Sequence, residues 1–120
     1  MTDNCMYLRK SRADEEAEAR GEGETLKRHE KILFALSKKL NKPISKIYRE
    51  IESGETIAQR PEVQNLLRDI EQGMWEGVFV VEIERLARGD TIDQGIVAQT
   101  FKYSNTQIIT PMKIYDPNNE

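Results

Sequence analysis

Cysteine and histidine are almost missing from this sequence, which has one of each, Cys5 and His29. A single thiol cannot close an intrachain disulfide and suits a reducing cytoplasm. One cysteine and one histidine also exclude a Cys/His zinc cluster. No stretch approaches the roughly 20 apolar residues that a membrane-spanning helix requires. The N-terminus, MTDNCMYLRK, lacks the basic segment and apolar run of a secretory signal. An excess of positive charge is missing too, since 18 Lys and Arg stand against 21 Asp and Glu, a net charge of -3. Proteins that grip nucleic acid by neutralising phosphates ordinarily carry the opposite balance. The deficit is uneven: residues 1–60 hold 13 basic and 11 acidic side chains, residues 61–120 hold 5 and 10. Such a chain can do chemistry on a phosphate while another segment supplies most of the DNA affinity.

What is present is the composition of one globular domain, 38% hydrophobic and 32% charged over 120 residues. Cys5-Met6-Tyr7-Leu8, followed by Arg9-Lys10-Ser11-Arg12, reads as a strand with a polar C-terminal end, which puts Ser11 at a strand exit. Residues 13–24 are almost all Ala, Glu, Asp, Gly and Arg and fit either a mobile loop or an exposed helical extension, the least ordered segment expected. Leu26, His29, Leu33, Leu36 and Leu40 recur at intervals of three and four, predicting a helix from about Glu24 to Asn41 that Pro43 closes. Ile44 to Ile51 is a second strand, and Glu52-Ser53-Gly54-Glu55 a turn-rich connection. Pro61 opens a helix whose apolar face is Val63, Leu66, Leu67 and Ile70, with Gly73 at its end.

Gly77-Val78-Phe79-Val80-Val81 is nearly continuous in apolar character, as in a central strand covered on both faces. Thr91-Ile92-Asp93-Gln94 fits a capping box that opens a helix to about Tyr103, and Thr106 to Thr110 is a last short strand before Pro111. The alternation predicts an α/β fold with an open, mostly parallel sheet of about four to five strands and helices on both faces. Ligands gather at the C-terminal strand ends of such sheets.

Polar residues fall at those ends: Arg9 and Ser11 after the first strand, Glu50 to Gly54 after the second, Glu84-Arg85-Leu86-Ala87-Arg88 after the third. Arg60, just ahead of a helix, joins them. A serine with no histidine partner among four arginines suggests attack on a phosphate, because guanidinium forks match phosphate oxygens in pairs and neutralise charge growing in the transition state. Each residue also has a plainer use. A serine after a strand commonly serves a turn, Arg85 and Arg88 at i and i+3 make a solvated helix face, and Arg60 before Pro61 can be merely exposed. Their shared position at one edge of one sheet favours the chemical reading.

Tyr7-Leu8-Arg9-Lys10-Ser11 resembles the nucleophile motif of the serine site-specific recombinases, the resolvase and invertase family. Ser53-Gly54 followed by Arg60-Pro61 resembles their second motif, and Glu84-Arg85-Leu86-Ala87-Arg88 their third, in matching order and spacing across essentially the whole chain. The long polar segment after Ser11 is more like the large serine integrases and transposases than the small resolvases. The resemblance implies a resolvase-like fold in which Ser11 becomes linked to the 5′ end of cut DNA as a phosphoserine and releases a 3′ hydroxyl. Arg9, Arg60, Arg85 and Arg88 match the arginines that bind the scissile phosphate. Glu84 matches a carboxylate serving proton transfer or orientation of Arg85, and Tyr7, Glu50, Ser53, Gly54, His29 and Arg68 fall at supporting positions. No metal or nucleotide cofactor is implied. The partners implied are DNA and further copies of the chain, as dimers that synapse into a tetramer.

Three positions depart from that pattern. Glu84 and Glu50 stand where the family usually has Asp. His29 stands where Gln is common, and it is equally well read as a half-buried packing histidine on the leucine stripe. Asp69 replaces a residue that is basic in some relatives, with Arg68 beside it as a substitute. The general base for Ser11 is unassigned, because arginine is always protonated and His29 is the one imidazole. Beyond Glu120 the resemblance implies a long helix and DNA-binding domains, so residues 1–120 alone are expected to bind DNA weakly and not to cut it. The rival readings are an inert α/β interaction module and a response-regulator-like domain, though the latter needs acidic residues where Arg9 and Lys10 stand. A serine hydrolase is disfavoured by the missing Gly-x-Ser-x-Gly elbow.

Overall fold

The protein is represented by a computed structural model that describes residues 3–10, 12–50, 57–86 and 91–116. Along the chain run β1 (Asn4–Arg9), α1 (Arg12–Ala19), α2 (Thr25–Leu40), β2 (Ile44–Glu50), α3 (Pro61–Glu71), β3 (Gly77–Phe79), α4 (Thr91–Tyr103), β4 (Gln107–Ile109) and β5 (Ile114–Tyr115). The sheet order is β2-β1-β3-β4-β5. The first four strands are parallel, and β5 pairs antiparallel with β4 at one edge. The expected α/β class, strand number and mostly parallel character are all present.

β1 is central, and all six of its residues are buried. Its period of two divides the core. Cys5 and Tyr7 join Val78, Ile108 and the apolar faces of α3 and α4 on one side. Met6 and Leu8 join Phe79, Ile109 and Leu33 of α2 on the other. Helices therefore cover both faces, as continuous apolar strands demand. Each fully buried aliphatic or aromatic side chain contributes about 1.5–3 kcal/mol. Among the described residues no helix is long and apolar enough to cross a membrane.

The helix ends show where sequence reading met its limits. α2 stops at Asn41, which takes the left-handed conformation at φ 56° while Lys42 N–H bonds the Ser37 carbonyl at 3.0 Å. That turn, ahead of Pro43, ends the helix. α1 settles the choice left open for residues 13–24 in favour of a helical extension, with Gly21 and Gly23 at positive φ leading into α2. Glu18 ties it down by accepting from Thr25 N–H at 2.9 Å and pairing with Lys10 at 3.0 Å. The capping box expected at Thr91 is not how α4 starts. The helix begins at Thr91 itself, and Asp93 turns away to accept from Ile57 N–H at 2.8 Å.

Candidate active site at the ends of β1 and β3

Parallel pairing of Met6 with Phe79 lays the C-terminal ends of β1 and β3 side by side. β1 ends at Arg9, and β3 is followed by a single 3-10 turn over Ile83–Arg85. The two ends are latched reciprocally. Arg9 donates from Nε to the Arg85 carbonyl at 3.2 Å and from Nη2 to the Glu84 carbonyl at 3.5 Å. Arg85 donates from Nη1 back to the Arg9 carbonyl at 3.3 Å.

Arg60 comes from the residue preceding α3 and closes the same turn, with Nη1 2.9 Å from the Arg85 carbonyl and Nη2 2.8 Å from that of Leu86. It is only 1% exposed, and Arg9 only 7%. Three guanidinium groups thus converge on residues 84–86, where carbonyl oxygens meet charges that would otherwise repel one another.

Arg85 is further held by two carboxylates, Asp14 of α1 and Glu82 at 2.9 Å. Sequence reading missed both. Glu82 precedes Arg85 by three residues, a spacing that could have suggested the pair. Asp14 lies in a segment without apolar periodicity, and only the fold brings it near. Glu84, expected to orient Arg85, does not: its side chain is exposed and it contributes its carbonyl. Two residues of an extended segment point to opposite sides, and here it is Glu82 that reaches the guanidinium.

Arg60 sits at the N-cap of α3 because Glu50 fixes that end. The Glu50 carboxylate accepts from Glu62 N–H at 3.1 Å, Val63 N–H at 3.0 Å and the Tyr7 hydroxyl at 3.1 Å. A helix N-terminus favours a negative charge, and Pro61 removes one amide that would need a partner. Burial, then the Glu50 charge, push the Tyr7 hydroxyl well above the ordinary phenol range, so it stays a neutral donor.

His29 lies on the α2 face turned toward this cluster. It is 6% exposed, and its Nδ1 is buried with no hydrogen-bond partner among the described residues. Burial, followed by the positive charges of Arg85 and Arg28, holds its pKa below the ordinary imidazole value. Arg68 is not brought in; it is exposed on the last turn of α3, about 12 Å of helix from Arg60. Asp69 faces β2, where it accepts from the Tyr48 hydroxyl and pairs with Lys46 at 3.6 Å. Ser11, Ser53, Gly54 and Arg88 lie outside the described residues.

Comparison with known proteins gives this arrangement its context. The N-terminal catalytic domain of TP901-1 integrase is similar to the chain with a TM-score of 0.74 and 21% identity, over 91% of this chain and 77% of that one. The C-terminal catalytic domain of ISC1926 TnpA, an IS607-like serine recombinase, gives 0.70 and 17%, over 90% and 66%. A resolvase family site-specific recombinase from Streptococcus pneumoniae gives 0.69 and 17%, over 92% and 72%. The family pattern described as the resolvase N-terminal domain matches residues 5–120. Fold and family pattern agree over nearly the full length, and the chain belongs to the resolvase family of serine recombinases, carrying its N-terminal domain.

Proposed function

We propose that this chain is the catalytic domain of a site-specific DNA recombinase in which Ser11 attacks a phosphodiester, becoming linked to the 5′ phosphate while a 3′ hydroxyl departs. The observation that carries this reading is the convergence of Arg9, Arg60 and Arg85 at the adjoining ends of β1 and β3, two residues along the chain from Ser11. The strand bond energy is kept in the phosphoserine and reused on rejoining, which calls for no metal or nucleotide.

The burial of the arginines divides their tasks. Arg9 and Arg60 are enclosed and bonded to carbonyls, so they set the shape of the turn that carries Arg85. Arg85, held by Asp14 and Glu82, is the group that a phosphate can claim by displacing carboxylates, with Arg88 beside it in sequence. Ser53 and Gly54 support the site from the connection between β2 and α3. DNA recognition rests mainly on a further segment of the full-length protein, which works as synapsed dimers.

The test is cleavage of a suicide DNA substrate by the full-length protein, trapping the covalent adduct. Ser11→Ala should bind DNA and form no adduct, and Arg85→Ala should lose on the order of 10²-fold or more in rate. Normal recombination by Ser11→Ala would refute the reading and favour an inert interaction module.

A further inference from the structure

The attacking hydroxyl must lose a proton, and the arginines around it cannot take one. We propose that His29 is the proton acceptor for the nucleophile, an inference that rests on the recombinase reading above.

Three observations converge on it. His29 is the sole imidazole in the chain. Its Nδ1 is buried without a partner among the described residues, which is costly for a polar atom and typical of one whose partner arrives with substrate. It also lies within electrostatic reach of Arg85 and Asp14. These two residues bracket the nucleophile: Arg85 bonds the Arg9 carbonyl, two residues before Ser11, and Asp14 follows three residues after it.

The charged groups around His29 favour a neutral base. Arg28 on its own helix and Arg85 after β3 oppose protonation, and Asp14 of α1 and Glu82 favour it. Arg49 of β2 is engaged by Glu30 at 3.0 Å. Burial and the two cations prevail, so the imidazole is unprotonated at neutral pH and ready to accept. Asp14 and Glu82 are poorer acceptors because both are already ion-paired to Arg85.

In the step itself the Ser11 Oγ proton moves to the imidazole as the Oγ–P bond forms and the P–O3′ bond breaks. The 3′ oxygen leaves as a hydroxyl with a proton drawn from water, and the imidazolium returns its proton to solvent. No proton is gained or lost overall.

The experiment is single-turnover adduct formation by the full-length protein across pH, for the natural protein, His29→Gln and Ser11→Ala. The natural rate should fall as pH drops through a value below 6.5. His29→Gln keeps size and hydrogen bonding but should be slower on the order of 10²- to 10⁴-fold and lose that acid limb. A natural rate and profile for His29→Gln, with no adduct from Ser11→Ala, overturns the role of His29 while sparing the recombinase reading. Adduct or recombination from Ser11→Ala overturns the reading itself. Should His29→Gln fail to fold, NMR titration of the natural protein decides, following the His29 ring signals. The imidazole should titrate below 6.5, and its pKa should rise on adding inorganic phosphate, which offsets Arg85. Titration at or above 6.5 with no response to phosphate overturns the proposal.

Discussion

Glu50 is an acidic side chain 1% exposed, and a buried carboxylate persists only where donors meet its charge. It satisfies the Tyr7 hydroxyl and two amides of the first turn of α3 at once, joining β1, β2 and the segment that presents Arg60. Glu50→Ala should therefore cost about 2–4 kcal/mol, since it strands three buried donors and removes a helix cap. Urea unfolding of residues 1–120 measures this, and a loss below about 1 kcal/mol would contradict the bonding described. The sequence marked Glu50 by its place at a strand end, but its work as a cap was hidden, because donor and acceptor sit 12 and 13 positions apart on different elements. Glu82 and Glu84 show the same limit at closer range. Both are acidic and near Arg85, and only the backbone path between them decides which one reaches it.

Among the elements, β3 tolerates least. Gly77 lies between Asn4 of β1 and Gln107 of β4, and a Cβ there would come within 2.8 Å of Asn4 Oδ1 and of Ile109 Cδ1. Gly77→Ala is expected to lower stability by about 1–3 kcal/mol through overpacking, read as a drop in melting temperature. An unchanged melting temperature would mean that the strands separate more easily than their pairing suggests. Strongly periodic elements were legible from sequence: the leucine stripe gave α2, the apolar run gave β3, and Pro61 gave the start of α3. The two residues of β5 are too few to make a pattern. α1 lacked an apolar face to announce it and is held instead by Glu18 and Asp14. The candidate site was legible as a set of strand ends, while its hydrogen bonds, made largely to backbone carbonyls, leave no trace in residue type.

At the scale of the molecule, buried titratable groups bound the pH range of stability. Burial pushes the Cys5 thiol and the Tyr7 phenol up, whereas in the unfolded chain they ionise near their ordinary values of about 8.5 and 10. Above those values the unfolded state holds fewer protons than the native one, so stability falls as pH rises, by about 3 kcal/mol per pH unit once both are ionised in the unfolded chain. His29 acts at the other end. Its native pKa is lowered, so below about pH 6.5 the unfolded chain binds a proton that the native state resists, and stability declines as pH falls. Urea midpoints across pH should show a plateau between these limits, and a midpoint still rising above pH 10 would contradict the burial of Cys5 and Tyr7.

Charge also bounds affinity. With a net charge of -3, residues 1–120 should bind duplex DNA weakly and without preference between a recombination site and a scrambled one in a titration near physiological salt. Tight, selective binding would place recognition within these residues.

The central place of β1 has a consequence for synthesis. It is the first strand to leave the ribosome, yet its second neighbour, β3, begins only at Gly77. At typical elongation rates, an apolar strand with an open edge waits roughly 4–15 seconds for that partner. Such an edge invites pairing with the same strand on a neighbouring nascent chain. The acidic run Asp14-Glu15-Glu16-Ala17-Glu18 emerges directly behind it, and its like charges hold adjacent nascent chains apart before any of them has a site to protect.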